Sequence, residues 1–139
     1  MTDKEITSRI EELAHMLECT AYLDQHTQVL SGGYKQRFMI ARSIIHRPKL
    51  VILDEPTVAL DPHIRHQIWN IIRSMKAQEI SVLLTTHYLD EAEVLSDRVC
   101  VLDSGLIRLI DTPQNLMSSF EKSKLEDVFL QLMQTGSDV

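Results

Sequence analysis

The chain has 139 residues, 44% of them hydrophobic, which is enough apolar material for one folded core and excludes a disordered tail. A formal net charge of -6 argues against nonspecific binding to nucleic acid or to an acidic membrane surface, so no nucleic-acid partner is expected. No apolar run approaches the ~18 residues of a membrane span, the first residues are charged and lack a signal region, and Cys19 and Cys100 stand apart without metal-ligand spacing.

Thr2-Asp3-Lys4-Glu5 has the spacing of a capping box, and Ile6, Ile10, Leu13, Ala14 and Leu17 follow at helical intervals, predicting an amphipathic helix through about residue 18. Residues 19–29 read as an irregular connection. Ser31-Gly32-Gly33 opens a second helix with Phe38, Ala41, Ile44 and Ile45 on one side. It must stop before Pro48, because the residue preceding a proline disfavours helical backbone. Leu50-Val51-Ile52-Leu53 is a continuous apolar run, as expected of a strand buried on both faces. Asp61-Pro62 starts a third helix, with an aspartate as side-chain cap and proline at the first helical position; Ile64, Ile68, Ile71, Ile72 and Met75 form its apolar face.

Ser81 to Thr85 predicts another buried strand, and Asp90 to Leu95 a short helix. Val99–Leu102 and Leu106–Ile110 flank Asp103-Ser104-Gly105, a hairpin in which Gly105 supplies positive φ. Thr112-Pro113 starts another short helix. Ser123 and Glu126 have capping-box spacing before a last helix with Leu125, Val128, Phe129 and Leu132 on its apolar face. Strands alternating with helices imply an α/β layer structure with a mostly parallel sheet.

Three places carry chemistry. At Ser31-Gly32-Gly33 the backbone N–H groups of a helix start are uncovered and the helix dipole is positive, which suits a phosphate; an ordinary capped helix would look the same. Asp54 and Glu55 follow a buried strand at its carboxyl end, where open α/β sheets hold ligands. Asp54 could hold Mg²⁺ and Glu55 could deprotonate a water, or both could be solvated acids. His87 follows the second strand and could touch a terminal phosphate, or serve only structure. His63 and His66, three apart on a helix, read as a solvated face rather than a metal pair.

Taken in order, LSGGYKQR, VILDEP, ALDP and TTH resemble the signature motif, Walker B strand, D-loop and switch histidine of ABC ATPases. HRPKLVILDEPTVALDP, LTTHYLDEAEVLSDRV and the ending LEDVFLQL are similar to exporters of the drug-resistance and polysaccharide type. The resemblance implies a partial P-loop NTPase (RecA-like) core with part of the ABC helical subdomain. Residues 1–47 would be the helical-subdomain part ending in the signature helix, and residues 48–139 the C-terminal part of the catalytic core. It also implies roles: Ser31, Gly32 and Gly33 contact the γ-phosphate held by an opposite subunit, Asp54 serves the Mg²⁺ site, Glu55 is the general base, Asp61 is the D-loop aspartate at the dimer interface, and His87 is the switch histidine. Tyr34 departs from the pattern, since many members have glutamine there.

No GxxxxGK loop followed by Ser or Thr occurs, and the family's adenine-stacking aromatic and a clear Q-loop glutamine are missing too. The chain is therefore expected to be a fragment, a split gene product or a truncated form, without ATP turnover of its own. The implied whole is the ATPase subunit of an exporter, binding ATP and Mg²⁺, paired head-to-tail with a second ATPase subunit and held on the cytoplasmic face of the membrane by a transmembrane permease. An ABC ATPase outside transport, or a nonenzymatic module lending its signature helix to a partner, are the alternatives.

Overall fold

The structure, a computed structural model, describes residues 2–135, which fall into two compact units divided between Thr85 and Thr86.

In the first unit, α1 (Asp3–Met16) starts from the capping box read in the sequence: Thr2 accepts from the Glu5 N–H, and the Glu5 carboxylate accepts from the Thr2 N–H. Leu13, Ala14 and Leu17 are buried, but Ile6 and Ile10 are exposed, and the charged Arg9 is buried in their place. Its guanidinium donates to the Ile44 carbonyl at 3.2 Å and pairs with Glu12 at 2.6 Å. Two short 3₁₀ turns, Thr20–Tyr22 and Thr27–Val29, lead to α2 (Gly32–Ile44). Its buried face is Gly33, Arg37, Ile40 and Ile44, with the expected Phe38, Ala41 and Ile45 only partly covered.

β1 (Leu50–Asp54), α3 (Pro62–Ala77) and β2 (Ser81–Thr85) form a β-α-β unit. β1 pairs with β2 in parallel, in a register setting Leu50 against Ser81, Ile52 against Leu83 and Asp54 against Thr85. Ile68, Trp69, Ile71, Ile72 and Met75 of α3 are buried, and α3 packs on β2. The expectation of strands buried on both faces is corrected here. Val51 and Leu53 point inward, whereas Leu50, Ile52 and Leu83 are 55%, 63% and 55% exposed. An apolar layer covers one side of the pair only, so alternation decides burial even in an unbroken apolar run. At Asp61 the position was read correctly but the cap was not: it is the N-cap residue of α3, yet its carboxylate makes no capping hydrogen bond.

In the second unit, α4 (Leu89–Leu95) is followed by the antiparallel hairpin β3 (Val99–Asp103) and β4 (Leu106–Asp111), which has a bulge between Val101 and Leu102. Gly105 turns the hairpin with φ +78, as expected. Arg108 donates to Asp103 from Nε at 3.0 Å and from Nη2 at 2.7 Å, and this holds the Asp103 carboxyl below its usual range. α5 (Pro113–Ser119) is capped by Thr112, which accepts from the Asn115 N–H at 3.1 Å. α6 (Leu125–Thr135) begins after Lys124, and the Leu125 N–H donates to the Glu93 carboxylate of α4 at 2.9 Å. Leu116, Leu125 and Val128 form this unit's small core, with Val99, Leu109 and Phe120 packed against it. No helix of the described residues is long and apolar enough to cross a membrane.

Candidate functional site

The parallel register puts the carboxyl ends of β1 and β2 side by side, and one threonine holds both acids there. The Thr85 hydroxyl donates to Asp54 in a short hydrogen bond. The Glu55 N–H is shared between the Thr85 carbonyl at 3.0 Å and the Thr85 hydroxyl oxygen at 3.2 Å. Glu55 itself has φ +45, a left-handed backbone that non-glycine residues avoid. The turn that makes Glu55 leave the strand thus carries local strain, held by the two hydrogen bonds to Thr85, and both carboxylates stay exposed. Thr85 went unnoticed in the sequence; only strand pairing reveals its place opposite Asp54.

Asp54 suits Mg²⁺ by its chemistry. It is a hard oxygen donor at a solvent-exposed strand end, and Mg²⁺ commonly takes one or two carboxylates with phosphates and waters completing its shell. Among the described residues no group of three or more histidines, cysteines and acids could form an all-protein metal cage. His66 packs edge-on against Trp69, with ring centroids 4.6 Å apart, and His63 is exposed.

The helix start at Ser31 is built against the start of α3. Ser31 is the N-cap, accepting from the Tyr34 N–H at 3.5 Å, while Gly32 opens α2. With the Tyr34 N–H capped by Ser31, the N–H groups of Gly32 and Gly33 are the first-turn donors without an intrahelical acceptor. A Cβ at Gly32 would meet only Leu60, at 3.7 Å, but at Gly33 it would lie 2.7 Å from Ile64 Cγ2. The two glycines therefore differ in role: Gly33 is buried and lets α2 approach α3, while Gly32 faces outward. Leu60 precedes Asp61, the N-cap residue of α3, and Ile64 lies in the first turn of that helix, so Gly32 and Gly33 sit against the segment that carries Asp61.

Arg37, one turn further along α2, anchors this arrangement. It is buried and donates to the Leu17 carbonyl at 3.0 Å, to the Glu18 carbonyl at 3.4 Å and, in a short hydrogen bond, to Gln67 of α3. Its guanidinium lies 5.2 Å from the Tyr34 ring centroid, and Tyr34 in turn packs on Tyr22 at 4.0 Å. Tyr34, the departure from the signature pattern, is thus part of an aromatic stack over the arginine. His87 belongs to the second unit, where it is exposed and lies with its ring 4.2 Å from that of Tyr88, at the entry to α4. The structure thus groups Asp54, Glu55 and Thr85 at the strand ends, and Ser31, Gly32 and Gly33 with the start of α3.

A parallel β-α-β unit with acids at the carboxyl end of its first strand is where α/β proteins hold nucleotides, and the architecture is that of part of a P-loop NTPase core. Residues 1–58 match the family described as ABC transporter. The chain is 47% identical over 105 residues to Nod factor export ATP-binding protein I of Rhizobium meliloti, covering 76% of this chain and 31% of that protein. It is 36% identical over 129 residues to the protein of the same name from Rhizobium sp. (strain N33), covering 93% of this chain and 42% of the relative. A solved ATP-binding subunit of an ABC transporter superposes with a TM-score of 0.80 at 27% identity, over 96% of this chain and 56% of that one. The chain belongs to the ABC transporter family, as part of its nucleotide-binding domain, and spans about a third of the length of the curated relatives it matches.

Proposed function

We propose that the chain is the base-and-signature part of the ATP-binding subunit of an ABC exporter. The observation that supports this most is the acid pair: Asp54 and Glu55 are held by Thr85 at the strand ends, with both carboxylates open to solvent. The relatives' printed name, an export ATP-binding protein, supports the direction of transport. In this reading residues 1–47 belong to the helical subdomain and residues 48–139 to the catalytic core.

Within the completed subunit Asp54 would hold Mg²⁺, and the ion would supply neutralisation of the charge that develops on the transferred phosphate. Glu55 orients the attacking water and accepts its proton as the water oxygen bonds to the γ-phosphorus; the bond to the bridging oxygen breaks and ADP leaves. His87 contacts a terminal phosphate. Ser31 and the N–H groups at Gly32 and Gly33 face the ATP of a second, head-to-tail subunit, with Asp61 at the same interface. A membrane permease is the further partner and holds the assembly on the cytoplasmic face.

The test uses a subunit completed by a phosphate-loop segment. Glu55→Gln keeps shape and hydrogen bonding but removes the base, so hydrolysis should stop while ATP binding persists and an ATP-bound dimer accumulates on size-exclusion chromatography. A Glu55→Gln variant that remains monomeric with ATP and still turns over would remove Glu55 from the mechanism.

A further inference from the structure

A threonine hydroxyl has a single proton, and at Thr85 that proton is committed. The hydroxyl donates to Oδ1 of Asp54, so towards Glu55 it can only accept, and it takes the Glu55 N–H at 3.2 Å beside the Thr85 carbonyl at 3.0 Å. Both bonds cross the end of the sheet, from β2 to the end of β1. Past Glu55 the chain turns: Pro56 has no N–H to give, Pro56 and Thr57 are buried, and the Glu55 carbonyl accepts from the Val58 N–H at 3.2 Å. Between strand and turn stands Glu55 with φ +45, a conformation that costs free energy in a residue with a Cβ and persists only where its surroundings hold it. Strand propensity does not account for the hydroxyl. The side chain at position 85 is exposed, and valine or isoleucine, β-branched like threonine, would suit the strand as well.

We propose that Thr85 is a positioning residue for ATP hydrolysis: its hydroxyl holds the Asp54 carboxylate and the Glu55 backbone in one fixed relation, and it acts only through those two acids. The proposal rests on the reading above, in which Asp54 serves the metal site and Glu55 the attacking water. A glutamate side chain turns about three bonds, so the reach of its carboxylate is set by the place and direction of its Cα–Cβ bond. Released from Thr85, Glu55 relaxes toward ordinary strand-end backbone and that bond turns away. The Asp54 carboxylate, no longer held at Oδ1, rotates. A misplacement of about 1 Å at a catalytic group can cost on the order of a hundredfold in rate. Ground-state nucleotide binding does not depend on the aim of the base, so the loss falls on kcat rather than on KM.

Two variants separate the hydroxyl from the rest of the side chain. Thr85→Val keeps the shape and removes the hydroxyl; Thr85→Ser keeps the hydroxyl and removes the methyl. Both replace an exposed side chain, so each should fold with an unchanged circular dichroism spectrum. In this chain, NMR relaxation of the backbone amides should show Glu55 loosened by Thr85→Val, its order parameter falling from about 0.85 to below about 0.6, and held in Thr85→Ser. In the completed subunit used for Glu55→Gln, Thr85→Val should lower kcat by about 10–100-fold with the KM for ATP within about twofold of the parent, and Thr85→Ser should recover most of the rate. The proposal is overturned by a Glu55 amide as rigid in Thr85→Val as in the parent, or by equal losses of kcat in the two variants, which would assign the effect to the methyl group. It is overturned as well by an unchanged kcat in Thr85→Val where Glu55→Gln is inactive. If Thr85→Val loosens the Glu55 amide but Glu55→Gln still turns over, the positioning role falls with the catalytic reading, and the hold of Thr85 on the backbone stands.

Discussion

A methyl group at Gly33 would press on Ile64, whereas at Gly32 it would meet only Leu60 at ordinary contact distance. Gly33→Ala should therefore destabilise the first unit by about 1–3 kcal/mol through overpacking. Gly32→Ala should be neutral or stabilising by up to ~1 kcal/mol, since alanine suits the first helical turn better than glycine. Adding Ile64→Ala to Gly33→Ala should recover about 1 kcal/mol relative to the sum of the single changes. Urea midpoints of the four variants would measure this, and equal effects at the two glycines would refute the packing role of Gly33. The sequence marks both glycines alike, as parts of one phosphate-contacting motif. It could not separate them, because the difference lies in a helix 31 residues away. Asp54 and Glu55 were legible, since a strand followed by acids fixes their place; Thr85 was not, because its role depends on register.

Element boundaries show where local signals suffice. Starts were legible from Thr2, Ser31, Pro62 and Thr112, because caps and prolines act within one turn. Stops were harder to read: Glu18, Arg47, Glu79 and Glu121 adopt positive φ past the helix ends, where a glycine would ordinarily announce the turn. Buried charges were also illegible, since an arginine at a helical position reads as surface. Arg37 links the end of α1, α2 and α3 through the Leu17 and Glu18 carbonyls and Gln67. Lysine cannot reproduce that planar fork, so Arg37→Lys should cost about 1.5–3 kcal/mol in urea unfolding; a loss within ~0.5 kcal/mol would deny Arg37 its anchoring role. In the second unit the start of α6 takes its cap from Glu93, a residue 32 positions earlier in the chain. Glu93→Ala should cost about 1 kcal/mol and speed exchange of the Leu125 amide, whereas an unchanged amide would place the cap elsewhere.

For the molecule as a whole, the order of motifs pointed to the family before any contact was known, and the fold agrees with it. The open sheet face was not foreseen. An apolar run such as Leu50 to Leu53 states only that both faces want cover, and the structure shows which face has it. In the proposed head-to-tail dimer, Ser31 and Glu55 of one subunit serve two different ATP molecules. The most direct measurement mixes two completed subunits, one carrying Ser31→Arg and the other Glu55→Gln, and follows phosphate release. Ser31 is exposed, away from the packing that Gly33 serves, but it caps α2, so an unchanged circular dichroism spectrum of the Ser31→Arg subunit is a condition of the test. In a head-to-tail dimer both lesions fall in one composite site and the other site stays intact. The heterodimer is then expected to hydrolyse ATP while each homodimer is inactive. A heterodimer shown to form, yet as inactive as the two parents, would contradict the trans arrangement.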